Sequence, residues 1–182
     1  MFHVEQKNYT MDLKKYIREV PDFPHQGIGF KDITTMLKDP EAFEYVVDSI
    51  TNVFRDKQIT KVVSLESRGF IVGGALAYHL KAGFVPIRKS GKLPARTVAM
   101  DYELEYGTDR IEIHEDALTP DDVVLIHDDL LATGGTALAA LQLVQKLKVS
   151  KVYFSFICDL SFIKTSQKDV VRNYDNHILV AY

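Results

Sequence analysis

Between Val123 and Leu138 the chain reads VVLIHDDLLATGGTAL: an apolar run, two adjacent acids, then a glycine pair flanked by threonines. The run predicts a buried strand over Val123 to Ile126, and ATGGT predicts a loop that opens a helix from about Thr136 to Leu147. At such a helix start several backbone N–H groups have no intrahelical partner and the helix dipole is positive, which makes an anion site. Gly134 and Gly135 let the main chain approach closely, and Thr133 and Thr136 add hydroxyl donors, so the loop suits a phosphate monoester. Asp128 and Asp129 would repel that phosphate. They suit hydroxyl donors or a divalent cation, such as a ribose offers or attracts, and phosphate plus ribose means a sugar phosphate. The loop is not a Walker loop, because no GK[ST] ending follows, and it is not GxGxxG.

Working outward, Lys61 to Leu65 reads as a strand, IVGGALAYHL as a helix and GFVPIRK as a second strand. Val123 to Ile126, the helix after it and Lys151 to Cys158 repeat that pattern. Two such units predict an α/β fold, a central mostly parallel sheet flanked by helices, with ligands bound beyond the carboxyl ends of its strands. The stretch ARTVAMDYELEYGTDRIEIHE alternates in two segments around Gly107, as an antiparallel hairpin or flap does. Upstream, Met11 to Val20 reads as a short helix closed by Pro21, and PDFPHQGIGFKDI as an irregular loop. Phe43, Val46, Val47, Ile50 and Phe54 then form one apolar stripe on a helix from Pro40 to Phe54.

The 182 residues fit a single domain with a sizeable core, and 22 Lys+Arg against 25 Asp+Glu give no overall field toward nucleic acid or an anionic membrane. The single cysteine, Cys158, sits in the apolar run YFSFIC and is expected buried, as suits a reducing cytosol. The start MFHVEQKNYTMDLKKY is too charged for a signal peptide, and no apolar run approaches the roughly 20 residues that span a bilayer; a cytoplasmic protein is expected. His127 adjoins the acid pair, but the other five histidines show no ligand spacing, so it reads as a hydrogen-bonded strand residue.

HDDLLATGGT closely resembles the diphosphoribosyl-binding signature of the type I phosphoribosyltransferases. PDFPHQGIGFKDI (Pro21 to Ile33), ESRGF (Glu66 to Phe70), IRKSGKLP (Ile87 to Pro94) and LEYG (Leu104 to Gly107) look like segments of the adenine phosphoribosyltransferases, in that family's order. The resemblance implies the type I phosphoribosyltransferase fold, with a flexible hairpin flap and an N-terminal hood loop to which residues 11–39 contribute. It implies transfer of the 5-phosphoribosyl group from 5-phosphoribosyl-1-pyrophosphate to adenine, giving AMP and pyrophosphate, with Mg²⁺ held mainly through the substrate.

Carried over by residue, the resemblance gives Asp128 and Asp129 the ribose hydroxyls and wraps Ala132, Thr133, Gly134, Gly135 and Thr136 around the 5′-phosphate. Pyrophosphate goes to Arg68 in its own subunit, and to Arg88, Lys89 and Lys92 contributed across a homodimer interface. Adenine stacks on Phe30, is read by backbone groups of Gly29 and Lys31, and is closed off by Leu160 and Ala132. Glu105 handles its proton, with Glu103 on the same strand face as the alternative, and Tyr106 covers the closed site. Relatives that use 6-oxopurines carry aspartate at the place of Ala132, so alanine favours a 6-aminopurine. Gly29 departs from the family's branched apolar residue and His127 from its apolar one. The stretch from about Lys164 carries no motif. A 6-oxopurine or xanthine transferase, or a non-catalytic regulator of the same fold, stand as alternatives; a regulator needs a DNA-binding domain, and only about 20 residues precede the base loop.

Overall fold

The computed structural model describes residues 10–23, 25–27, 29–103 and 107–182, and the chain divides into two compact units, residues 1–45 and 46–182. In the first unit a 3₁₀ turn at Leu13–Lys15 leads into β1 (Arg18–Val20), which pairs antiparallel with β2 (Phe30–Asp32); α1 (Thr34–Leu37) follows. The helix expected over Met11 to Val20 is therefore corrected to a turn and a strand, and part of the expected loop is a strand. Val20 precedes Pro21, whose ring disfavours helical geometry there. Opposite charges across the ladder stabilise the extended form: Arg18 faces Asp32, with an ion pair of 2.5 Å, and Glu19 faces Lys31, with one of 3.0 Å.

α2 (Pro40–Phe54) follows the expected bounds, with Val46, Val47, Ile50 and Phe54 buried and Phe43 half-buried. The second unit holds a seven-stranded sheet of β3 (Lys61–Leu65), β4 (Gly83–Lys89), β5 (Thr97–Glu103), β6 (Thr108–His114), β7 (Val123–Leu131), β8 (Lys151–Asp159) and β9 (Asn176–Ala181). The spatial order is β5-β6-β4-β3-β7-β8-β9; β4, β3, β7, β8 and β9 are parallel, and β6 pairs antiparallel with both β4 and β5. The flap hairpin thus extends the central sheet at its edge. β7 runs five residues past its expected end, through both acids, because β8 pairs with it as far as Leu131 opposite Asp159.

α3 (Gly69–Leu80) joins β3 to β4, while α4 (Gly135–Lys146) joins β7 to β8 and α5 (Ser166–Arg172) joins β8 to β9. The chain winds outward from β3 in one direction and from β7 in the other. Right-handed crossovers running opposite ways set α3 on one face and α4 and α5 on the other. On the α4 face Val63, Leu65, Val124, Ile126, Phe154 and Phe156 pack with Ala137, Ala140, Leu141 and Val144 into the main core. Burying an aliphatic side chain of this kind contributes roughly 1.5–3 kcal/mol before entropy is counted. The carboxyl ends of β3 and β7 therefore lie side by side where the winding reverses, the usual ligand crevice of such sheets.

Candidate active site

The two central strands meet chemically at their ends. Arg68, just after β3, reaches across to Asp129 of β7, Nε to Oδ2, at 3.0 Å. Gly69 makes that approach possible: a Cβ there would stand 3.0 Å from Asp128 Oδ1 and 3.1 Å from the His127 carbonyl oxygen. Asp129 is buried and Asp128 half-buried. Burial pushes Asp128 well above the ordinary carboxylate range, and the charge of Asp129 adds to the rise. Burial raises Asp129 too, against the pull of Arg68. The pair holds a proton more readily than two free aspartates do, and hydroxyl donors would let both ionise.

Three residues on, the chain forms the crook. Gly134 has φ of 85° and opens α4, whose Leu138 N–H already donates to the Gly134 carbonyl at 2.9 Å. A side chain is excluded there twice, by the left-handed backbone and by the Lys168 backbone, which an ideal Cβ would meet at 2.7 Å. Thr133 is exposed and Ala132, Gly135 and Thr136 are half-buried, so the N-terminal turn of α4 opens at the strand ends beside the acids. All five loop residues come together in one turn.

Arg88, Lys89 and Lys92 gather at the end of β4, and each is matched by a carboxylate. Glu66 takes Lys92 at 2.5 Å, Arg88 at 3.3 Å and the Lys89 backbone N–H at 2.9 Å. Burial alone would raise Glu66, but these donors hold it down at about 2. Lys89 Nζ lies 3.0 Å from Asp109 of β6, and this partner raises the Lys89 pKa. Asp109 also accepts from the Tyr102 hydroxyl at 3.2 Å. The hairpin is thereby tied to Lys89, and it also packs against the start of α4, where a Cβ on Gly135 would meet the Glu103 carbonyl at 3.3 Å. Sequence reading missed Glu66, Asp109 and Tyr102, because no local pattern announces an acid that binds cations 20 or more residues away, or the hydroxyl that bonds to such an acid.

In the first unit Phe30 is half-buried, with Phe23 edge-on to it at 5.0 Å; Phe23 itself is exposed, so it does not anchor the loop to a core. Lys31 is buried and paired with Glu19, whose carboxylate would lie 2.8 Å from a Cβ at Gly29. Glu19 is exposed and its tip can swing aside, so the space around Gly29 does not explain the departure there. In the second unit Leu160 is buried at the end of β8, its N–H donating to the Leu131 carbonyl at 3.0 Å. Glu103 ends β5 in an exposed position. Glu105, Tyr106 and Ile28 lie outside the described residues.

The sequence pattern of the phosphoribosyl transferase domain matches residues 33–179. An adenine phosphoribosyltransferase of Acaryochloris marina is 56% identical over 158 residues, 87% of this chain and 93% of that protein. The chain belongs to the adenine phosphoribosyltransferase family. A crystal structure of the family from Rhodothermus marinus superposes with a TM-score of 0.87 at 48% identity, covering 93% of this chain and 96% of that one. The Saccharomyces cerevisiae member, solved with D-2,5-dideoxy-2,5-imino-altritol 1,6-bisphosphate and adenine, has a TM-score of 0.84 at 37% identity over 92% of this chain and 96% of that one.

Within this phosphoribosyltransferase, His127 is fully buried and shares a hydrogen bond of 2.8 Å between Nδ1 and Ser155 Oγ. The ladder sets Ser64 on its other side. Desolvation lowers its pKa to about 3, so it is neutral at any physiological pH. Ser64 has its own constraint: a Cβ on Gly73 of α3 would come within 1.9 Å of its hydroxyl. A small polar row thus crosses the sheet one residue below the acid pair. Cys158 is buried in β8, and no described helix is long and apolar enough to cross a membrane.

Proposed function

We propose that the protein transfers the 5-phosphoribosyl group of 5-phosphoribosyl-1-pyrophosphate to adenine, forming AMP and pyrophosphate, in the cytoplasm and as a homodimer. The observation that carries this reading is the left-handed Gly134 crook opening α4, which follows closely on an acid pair whose buried member, Asp129, is braced by Arg68. The crook takes the 5′-phosphate through backbone N–H groups from Thr133 to Thr136 and the helix dipole. Asp128 and Asp129 accept hydrogen bonds from the two ribose hydroxyls.

As N9 of adenine bonds to C1 of the ribose, the C1–O bond breaks and its electron pair leaves with pyrophosphate. Arg68, Arg88, Lys89 and Lys92 meet the charge that develops there. Glu66 holds Arg88 and Lys92 in the same chain, so they reach pyrophosphate, across an interface or not, by exchanging a carboxylate for phosphate oxygens. Glu105 of the flap receives the adenine proton, and Tyr106 covers the closed site. Adenine stacks on Phe30, with the backbone of Gly29 and Lys31 reading its edge, in a hood to which residues 11–39 contribute. Ala132 lacks the carboxylate that a 6-oxopurine would require, which favours the 6-amino base.

Mg²⁺ fits this site as an ion carried by the substrate. Among the described residues no group of three or more His, Cys, Asp or Glu converges on a metal, and the site's own acid pair has raised pKa values beside an arginine. Its main ligands would be diphosphate oxygens, and it would add positive charge at the leaving group. For the dimer, support comes from α3 and β4, which expose Ile71, Tyr78 and Phe84, with Tyr78 82% exposed.

The test is a substrate panel with 5-phosphoribosyl-1-pyrophosphate, Mg²⁺ and adenine, hypoxanthine, guanine or xanthine, following pyrophosphate release. Adenine is expected to be preferred by a wide margin. Turnover with a 6-oxopurine instead would transfer the assignment to that class, and tight binding of the sugar diphosphate without turnover of any base would favour a regulator.

A further inference from the structure

The stretch after Lys164 builds the underside of the phosphate crook. Thr165 caps α5, its hydroxyl oxygen accepting from Lys168 N–H at 3.1 Å, and the same hydroxyl donates to the Thr133 carbonyl. The C=O and N–H of one trans peptide point in opposite directions. Tying the Thr133 carbonyl to α5 therefore turns the Gly134 N–H away from α5, toward the open side of the crook. The Lys168 backbone fills the space beside Gly134, with its N and Cα 2.8 and 2.7 Å from where a Cβ would stand.

The Lys168 side chain then runs into the molecule. It is fully buried, and its Nζ reaches Asp159 Oδ1 at 2.5 Å and the Leu160 carbonyl at 2.6 Å. The other Asp159 oxygen takes Arg172 at 2.5 Å. A buried ion pair is weak evidence for stability, since apolar side chains of equal volume often serve as well or better. What this one does geometrically is pin the first turn of α5 to the end of β8, and through Thr165 the crook is pinned as well.

We propose that Thr165 and Lys168 are positioning residues for the 5′-phosphate: Lys168, locked to Asp159, fixes α5, and Thr165 holds the Thr133 peptide so that the Gly134 N–H faces the anion. Neither touches substrate. This rests on the crook being the 5′-phosphate site.

The experiment compares Thr165→Val, Thr165→Ser and Lys168→Met with the unaltered protein. Calorimetry gives Kd for ribose 5-phosphate and for pyrophosphate, kinetics give KM for each substrate, and melting gives stability. Thr165→Val is expected to weaken ribose 5-phosphate and raise the KM of the sugar diphosphate roughly tenfold, the effect of one misdirected charge-assisted hydrogen bond. Pyrophosphate affinity and adenine KM should stay within about twofold, a change too small to register as a lost contact. Thr165→Ser, which keeps the hydroxyl, should restore binding, and Lys168→Met, where it folds, should repeat the selective loss. Unchanged ribose 5-phosphate affinity in Thr165→Val, or equal losses for ribose 5-phosphate and pyrophosphate, would overturn the proposal. If the unaltered protein fails to bind ribose 5-phosphate, the phosphate-site reading falls and takes this inference with it.

Discussion

Replacing Gly134 with alanine puts two separate costs on one atom. The residue has φ of 85°, a region where an L side chain costs roughly 1–2 kcal/mol. The new methyl would also stand 2.7 and 2.8 Å from the Lys168 backbone, which cannot rotate aside as a side-chain tip could. Overpacking of this kind costs roughly 1–3 kcal/mol. The sum is about 2–5 kcal/mol, or a melting shift of roughly 5–15 °C for a domain of this size. Relief must come by moving the crook or α5, and a displacement near 1 Å at a binding loop can cost about a hundredfold in rate. Urea unfolding and the KM of the sugar diphosphate should therefore change together. Gly135→Ala is the internal control: its φ is not positive, and its nearest new contact, the Glu103 carbonyl at 3.3 Å, is looser, so its stability loss should be below about 1 kcal/mol. An alanine at 134 that unfolds at the unaltered urea concentration, with KM intact, would refute the reasoning from strain.

Three other perturbations test the site. His127 stays neutral in the fold while the unfolded chain takes up its proton near pH 6.5, so its share of stability is complete above that pH and is lost as the pH falls toward 3. Denaturant titrations should show the unaltered protein losing up to about 1.4 kcal/mol per pH unit more than His127→Leu between pH 6.5 and 5; parallel curves would sink the assignment. Asp129→Asn should lower kcat/KM roughly ten- to a hundredfold with little change in melting temperature, because it removes one charged hydrogen-bond acceptor from a like-charged, poorly solvated acid pair; matched losses in folding would count against a ribose role. Ala132→Asp should cut adenine turnover by roughly a hundredfold relative to hypoxanthine in a competition assay, and an unchanged ratio would remove Ala132 from specificity.

Local chemistry was enough, read along the chain, to find the crook, the acid pair and the crossover units. ATGGT is a turn pattern confined to five residues, and the apolar periodicity over Pro40–Phe54 needs no distant partner. Even the lone cysteine's burial follows from its neighbours. The failures share one cause. Met11 to Val20 looked helical until the charges at Arg18 and Glu19 found Asp32 and Lys31 across a ladder. β7 outran its apolar stretch because β8 pairs with it at Asp128 and again at Leu130 and Leu131, carrying the strand past both acids.

What composition and spacing supplied by themselves was the kind of ligand to expect: a glycine doublet at a helix start offers an anion unpaired N–H groups and a dipole, and both belong to the local backbone. What only the tertiary structure decided was which groups hold that machinery in place. Glu66 collects cations from a neighbouring strand, Asp109 and Tyr102 bring the hairpin to Lys89, and Lys168 goes to the interior although lysines ordinarily stay at the surface. The Glu66 and Asp109 pairs join segments 20 or more residues apart, and Lys168 finds Asp159 nine residues back only once α5 has folded onto the end of β8, so the energy of each contact exists only in the folded chain.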